Sequence, residues 1–187
     1  MNYRTAIVTT LAEIGEAAWS DLLARQADAK AEANPFLSYA FLHALHESGC
    51  ASADTGWQPN YLALWQGDVL AAALPLYLKM HSYGEYVFDW AWADAYRQHG
   101  LEYYPKLLSA IPFTPVSGTR LLARDGEARA ALLAFLQAQQ QAADVSSCHI
   151  LFPPESEARQ LEEAGYLMRS GVQFHWLNPG YTDFEQF

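Results

Sequence analysis

The chain has little positive charge, and that scarcity is the first thing its sequence decides. Eleven Lys and Arg residues face twenty-one Asp and Glu, for a formal net charge of −10 over 187 residues. The basic residues stand singly, without the clusters that displace counterions from a phosphate backbone, so direct nucleic-acid binding is not expected. Cysteine is nearly absent. Cys50 and Cys148 lie far apart with no Cys-x-x-Cys spacing, the pattern of free thiols in a reducing cytoplasm. Long hydrophobic runs are missing as well: the longest, residues 69–78, is interrupted by Pro75 and falls far short of the ~20 residues that span a bilayer. The start shows no basic flank, apolar segment and cleavage site in series, so no signal peptide is read there. Neither a Gly-rich phosphate loop nor a Gly-x-Ser-x-Gly elbow occurs. These absences predict a cytoplasmic protein with no transmembrane segment.

What is present is a large apolar fraction, 51%, against 17% charged residues, enough for a substantial core in one domain. Residues 3–9 alternate weakly and predict a first strand. Thr10 and Glu13 have the spacing of a capping box, and Ile14, Ala18 and Leu22 then predict a helix to about residue 30. Asn34-Pro35 opens a second helix, which carries Phe41, Leu42 and Leu45 and stops at Gly49. Residues 51–59 read as a loop.

Residues 61–65 and 69–78 predict a hairpin turning at Gly67. Its second arm is apolar at nearly every position, as in a strand covered on both faces. Further strands are expected at residues 86–90, 114–123 and 148–152, a helix at 92–110, and a final strand pair at 166–176. Asp125 is placed to cap a helix carrying Ala128, Leu132, Leu133 and Leu136. Residues 155–164 predict another, with Ala158 and Leu161 inward and Gly165 as its stop. Thr182 and Glu185 form a second capping-box pattern near the end of the chain. A helix that short does not hold by itself, and the expectation is a chain cut from a longer protein.

Strand, helix, strand and helix over residues 119–176 resemble the core of the GCN5-related N-acetyltransferase superfamily, with Ala158-x-x-Leu161 and Gly165-Tyr166 the most specific pieces. More specific still are Pro75-Leu76-Tyr77-Leu78-Lys79, His81-Ser82-Tyr83-Gly84-Glu85-Tyr86, Tyr103-Tyr104-Pro105-Lys106 and Gln173-Phe174-His175-Trp176. Together they look like the FemAB-like, peptidoglycan biosynthesis/recognition family of bacteria. The resemblance implies an α/β (α+β) fold with a mixed, mostly antiparallel sheet flanked by helices. It also implies an acyltransferase-like domain at 1–178, with 179–187 opening a linker or helix to a second, similar half. The implied activity is transfer of an acyl or aminoacyl group to an amine, for instance on a cell-wall peptide precursor. The alternative is a non-catalytic recognition domain for such precursors or for a protein partner.

The superfamily's coenzyme-A loop is glycine-rich, because backbone amides at a helix N-terminus hold the pyrophosphate. The corresponding residues 122–127 carry one glycine and the carboxylates of Asp125 and Glu127. No cofactor is therefore expected to bind tightly to this half; an acyl-CoA or aminoacyl donor belongs to the full-length protein. The position after Ala-x-x-Leu, often a tyrosine, is Glu162.

Glu85 follows Gly84 between Tyr83 and Tyr86, where an apolar pocket would raise a carboxyl's pKa and suit it to act as a base. Lys79, His81, Tyr83, Tyr86, Asp89, Trp90, Trp92, Tyr103, Tyr104, Lys106 and Arg120 are the expected substrate-binding residues. Aromatic walls with a few convergent charges suit a sugar, a peptide or another small molecule. Trp90 is expected to serve as packing as well as wall. His43, His46, Glu47 and Cys50 read as a solvated helix face, without the second half of a metal motif, and His175 as a structural residue on a strand. Residues 172–187 are expected to fray or to associate with another copy, since their aromatics lack a cover.

Overall fold

The structure, a computed structural model, describes residues 2–25 and 34–187. Eight strands and five α-helices are present among them, in the order β1 (Arg4–Val8), α1 (Glu16–Ala24), α2 (Tyr39–Glu47), β2 (Trp57–Pro59), β3 (Tyr61–Gln66), β4 (Val69–Leu74), β5 (Tyr77–Lys79), α3 (Trp90–Gln98), β6 (Lys106–Ser109), β7 (Leu122–Ala123), α4 (Gly126–Ala142), β8 (Cys148–Ile150) and α5 (Glu155–Glu163). The strands form two four-stranded sheets, β1-β3-β4-β7 and β2-β5-β6-β8.

One hairpin runs through both sheets. Its first arm is β2 and β3, separated by Asn60; its second is β4 and β5, separated by Pro75 and Leu76. Pro75 has no N–H for the ladder and breaks the arm into two strands. The break is bridged by the Asn60 N–H, which donates to the Leu76 carbonyl at 2.8 Å. Gly67 makes the turn with φ +60°.

The apolar run is sandwiched between helices. Tyr61, Ala63, Leu70 and Ala73 join Trp19, Leu22 and Leu42 in a core on the α1–α2 side. Leu62, Leu64, Ala72 and Leu74 join Leu132, Leu136 and Leu161 on the α4–α5 side. Alternation along the strands sends neighbours to opposite faces, so a strand with no polar position is one with two cores. Trp19 is fully buried and its indole N–H donates to the Leu37 carbonyl at 2.8 Å, which locks α1 against the turn before α2.

β6 pairs antiparallel with β5 and parallel with β8. The chain then leaves this sheet and joins the other as β7, antiparallel to β4. The gap between β7 and β8 is filled from within. Arg120, wholly buried, donates from Nε to the Leu151 carbonyl at 3.0 Å, and Gly118 N–H donates to the Phe152 carbonyl at 3.1 Å.

The Thr10 capping box forms as expected, with Glu13 closing it, but it caps a short 3₁₀ turn before α1. The predicted continuation of α1 over residues 26–30 lies outside the described residues. Several other expectations need correction. Residues 57–59 are a strand and no loop. Residues 86–89 are irregular, and the helix expected at 92–110 is α3, ended by Gly100 at φ +70°. Of residues 114–123 only Leu122–Ala123 pair as a strand. Residues 166–176 form no strand. Val172 and Phe174 are among the most exposed apolar side chains, and His175 is exposed rather than held in a sheet. Near the end Asp183, not Thr182, caps a 3₁₀ turn at Phe184–Gln186. His46 turns inward from α2, 3.2 Å from the Tyr77 hydroxyl, so that helix face is only partly solvated.

Candidate functional site

The end of β5 and β6 carries a like-charged pair. Lys79 and Lys106 are register partners on adjacent antiparallel strands, and both are fully buried. Like charges directly opposite one another on a sheet are destabilising, and burial without partners would be far more so. The compensation comes from one irregular segment, residues 80–89, which joins β5 to α3.

Lys106 Nζ donates to Glu85 Oε2 at 2.8 Å, to Asp89 Oδ2 at 2.6 Å and to Ser82 Oγ at 2.9 Å. All three of its donors are used by that segment. Lys79 Nζ lies 3.6 Å over the Trp57 ring and donates to the Tyr83 carbonyl at 3.2 Å. Its contact with Glu85 Oε1 is a looser 4.0 Å. Burial pushes the Lys79 ammonium down to about 7; Glu85 works against that shift and Lys106 adds to it.

Both carboxylates are incompletely satisfied. Glu85 Oε1 and Asp89 Oδ1 are buried without a hydrogen-bond partner, as is the Trp57 indole nitrogen. Burial raises the Glu85 carboxyl above the usual carboxylate range even though Lys106 opposes the shift. Asp89 behaves differently. Burial disfavours its charge, but hydrogen bonds from Lys106, Ser82 and Tyr103 outweigh it and hold its pKa below the usual value. Asp89 also stands at the N-cap of α3 without capping it through its side chain. An aspartate there ordinarily bonds the first-turn amides; this one is committed to Lys106 and Tyr103.

A second shell of hydroxyls continues from Asp89. Tyr103 donates to Asp89 Oδ2 at 2.7 Å, and its oxygen is 3.4 Å from His149 Nε2. That nitrogen is in turn 2.9 Å from Ser147 Oγ. Burial first, and Lys106 second, hold His149 down to about 4, so it is neutral at physiological pH. Tyr104 and Ser82 share a hydrogen bond of 2.8 Å.

Above this buried layer lies an exposed aromatic rim. Tyr83 is 64% exposed, Tyr86 57%, Trp90 46% and Trp92 52%. Tyr83 meets Trp90 and His81 edge to face. α3 buries none of its residues, so the share of Trp90 in packing is its contact with Tyr83. Two bulky residues hold the rim in left-handed backbone conformations, Tyr86 at φ +59° and Phe113 at φ +60°. Phe113 N–H donates to the Gly84 carbonyl at 3.1 Å.

The structure thus brings together Lys79, Glu85, Asp89, Tyr103, Tyr104 and Lys106 beneath, and His81, Tyr83 and Trp90 at the rim; Tyr86 and Trp92 are exposed on the same segment and on α3. Arg120 is committed elsewhere. Besides Leu151 it donates to the Gly118 carbonyl at 2.8 Å and the Val116 carbonyl at 2.7 Å. Glu157 accepts from the backbone N–H groups of Arg120 and Leu121 at 2.9 and 3.0 Å. Glu85 is not a free base in this conformation, being 3% exposed and held by Lys106. Sequence reasoning missed Trp57, Ser147 and His149. Trp57 precedes a clear strand and could have been read as its extension; only the parallel pairing of β8 with β6 brings the other two here.

The α4 N-terminus, just after β7, is closed by its own residue: Asp125 accepts from Ala128 N–H at 2.8 Å. Among the described residues no group of three or more His, Cys, Asp or Glu is placed to hold a metal, and no helix is long and apolar enough to cross a membrane.

A mixed sheet between helix layers, split after β6 and carrying a parallel last pair, is the fold of the acyl-CoA N-acetyltransferases. A ribosomal-protein-alanine N-acetyltransferase of Brucella melitensis biovar Abortus 2308 superposes with TM-score 0.52 at 15% identity, covering 95% of this chain and all of that one. A Pyrococcus furiosus protein described as an acetyl transferase gives TM-score 0.51 at 12% identity, covering 93% of this chain and all of that one. The aminoglycoside acetyltransferase AAC(6')-Iy, solved with a CoA bisubstrate analogue, aligns at TM-score 0.49 and 11% identity over 95% of this chain and 99% of its own. No curated protein matches by sequence. The chain belongs to the FemAB-like family of peptidoglycan biosynthesis and recognition, whose pattern matches residues 10–187.

Proposed function

We propose that this domain serves N-acyl transfer to an amine as the part that recognises the acceptor, a cell-wall peptide precursor being the substrate class the family favours. The observation that carries the reading is the layered site at the end of β5 and β6. Buried lysines and carboxylates with unpartnered oxygens lie beneath exposed Tyr83 and Trp90. Aromatic rims over a few buried polar groups are how proteins grip sugars and peptides.

The donor, an acyl-CoA or aminoacyl group, is held outside this domain in this reading. Two features support that. The gap between β7 and β8 is taken by Arg120, and at the α4 N-terminus, where a pyrophosphate would lie, the Asp125 carboxylate already takes the Ala128 amide. A second acyltransferase-like half would then supply the donor site, with this chain as the N-terminal half. The exposed Phe174, Leu177 and Phe184 are a surface suited to such a neighbour. A purely recognitional role is the second reading, favoured by the internal pairing of the buried charges, which leaves no free base in this conformation.

Calorimetric titration with a muropeptide and with acetyl-CoA separates these ideas. The muropeptide is expected to bind and acetyl-CoA to bind far more weakly. Low-micromolar binding of acetyl-CoA to this domain would overturn the assignment. A transfer assay on the full-length protein, read by mass spectrometry of the peptide amine, then distinguishes catalysis from recognition alone.

A further inference from the structure

We propose that the Lys79–Lys106 pair is the binding site for a dicarboxylate group on the acceptor, and that Glu85 and Asp89 occupy it in the unliganded chain as an internal stand-in. The inference rests on the acceptor-recognition reading and names the chemistry of that same site.

Two ammonium groups set opposite one another across β5 and β6 have no structural advantage. A buried ionic cluster is generally no more stabilising than an apolar replacement of the same volume, and the like-charge juxtaposition adds a cost of its own. Such a pair makes sense where two negative groups must be received. What receives them now is informative. The two carboxylates sit four residues apart on one irregular segment, so they leave together if the segment moves. Neither belongs to a strand or to the body of a helix. Each leaves one buried oxygen without a partner, so the stand-in fills the site without satisfying it. A ligand whose four carboxylate oxygens all find donors would replace it at a gain, because an unsatisfied buried acceptor is costly.

The segment is also attached in a way that permits exchange. Its outward side chains Met80, Tyr83, Tyr86 and Phe88 are exposed. Besides the side-chain bonds of Lys79 to the Tyr83 carbonyl and of Tyr104 to Ser82, its tip is tied backbone to backbone by the Gly84–Phe113 hydrogen bond, between a glycine and a non-glycine residue that both hold positive φ. A bulky residue in that region stores strain, and such strain collects at sites that switch. The donors left behind when the segment withdraws are Lys79, Lys106 and Tyr103, with the Trp57 indole N–H, which lacks a partner now. The two ammonium groups and the Tyr103 hydroxyl already suffice to engage two carboxylates. Carboxylate, not phosphate, is the assigned chemistry because carboxylates are what the site already holds.

Hydrogen–deuterium exchange on the wild-type chain tests this, with glutarate as probe, glutaramide as its neutral counterpart and inorganic phosphate as the other anion. Glutarate is expected to speed exchange of the amides of residues 80–90 severalfold while leaving β3 and β4 unchanged, and the two controls to do neither. By calorimetry, Glu85→Gln is expected to bind glutarate about tenfold more tightly than wild type, since the internal competitor is weakened. Lys106→Met is expected to lose binding. Unchanged exchange in excess glutarate overturns the proposal, as does an equal response to phosphate or to glutaramide. So does a folded Glu85→Gln chain that binds no better than wild type. If glutarate acts as described but the full-length protein transfers no acyl group, the acyl-transfer reading fails and the dicarboxylate site stands. If transfer occurs with no glutarate response, the site alone is wrong.

Discussion

Two regions of this domain bury cations, and they do so by opposite means. Arg120 is surrounded by the backbone carbonyls of Val116, Gly118, Thr119 and Leu151, while Glu157 takes the neighbouring backbone amides. Among the described residues, every hydrogen-bond acceptor of the Arg120 guanidinium belongs to the main chain, so the arrangement can change only if the chain path changes. Lys106 is neutralised instead by buried side chains of one irregular segment, and Lys79 by the Trp57 ring and that segment's Tyr83 carbonyl, with two acceptor oxygens left over. Satisfaction by backbone acceptors marks a structural plug between β7 and β8. Partial satisfaction by a segment outside any strand or helix is the feature on which the proposed exchange of occupant rests. Burial and charge alone would have ranked the two regions together; the identity of the partners separates them.

The comparison breaks most visibly at Arg120. Arg120→Ala strips hydrogen bonds from three or more carbonyls at once, and an unsatisfied buried acceptor costs about 1–3 kcal/mol. A loss of about 3 kcal/mol or more in denaturant unfolding is expected. A chain as stable as wild type would mean that water replaces the guanidinium and that the gap is open to ligands after all.

Acid is the next lever. His46 and His149 are each held to about 4 by burial, against a model-compound value of 6.5. Both are neutral in the fold and take up protons more readily when unfolded, so the unfolded state binds more protons between these values. Their contribution to stability is complete above pH 6.5 and is lost progressively as pH falls toward 4. Glu85 and Glu157, raised by burial, act in the opposite direction and soften the decline. Thermal melts across this interval should show a falling midpoint, and His149→Gln should flatten part of the slope. A midpoint independent of pH would show that neither imidazole is shielded as described.

Gly84 sharpens the contrast on the lysine side. A Cβ there would stand 2.6 Å from the Phe113 ring, and the backbone is at φ +80°. A left-handed conformation costs a non-glycine residue about 1–2 kcal/mol. Gly84→Ala should therefore destabilise by that order while loosening residues 80–89 in hydrogen exchange. Loosening confined elsewhere would remove Gly84–Phe113 as the tie. The smallest effect is expected at the rim. Trp90→Ala removes a side chain that is 46% exposed from a helix that buries nothing. Stability should stay within about 0.5 kcal/mol, while peptide affinity falls. An equal loss of both would show the packing role expected of Trp90 from sequence.

Much of the scaffold was legible before any coordinates. The apolar run interrupted at Pro75, the turn at Gly67, the Thr10 capping box and the Asp125 cap of α4 all appear where local chemistry puts them. The errors share one cause. Residues 86–90 and 166–176 are rich in aromatic and alternating positions, which is strand-like composition, yet a strand also needs a neighbouring ladder. Neither segment has one among the described residues. Alternation measures willingness to lie on a sheet, and only pairing makes one.

The sequence by itself determined the fold class and the family, because apolar periodicity, caps and turn residues act over a few positions and survive as patterns. It also named Lys79, Glu85, Asp89, Tyr103 and Lys106. Only the tertiary structure decided what they are to one another. The register of β5 against β6 sets two lysines face to face, the return of β8 beside β6 delivers His149, and the excursion before β7 carries Arg120 away into a plug. Those outcomes depend on contacts between residues twenty to fifty positions apart. Electrostatic meaning resides in distance and burial, and neither is written in local sequence.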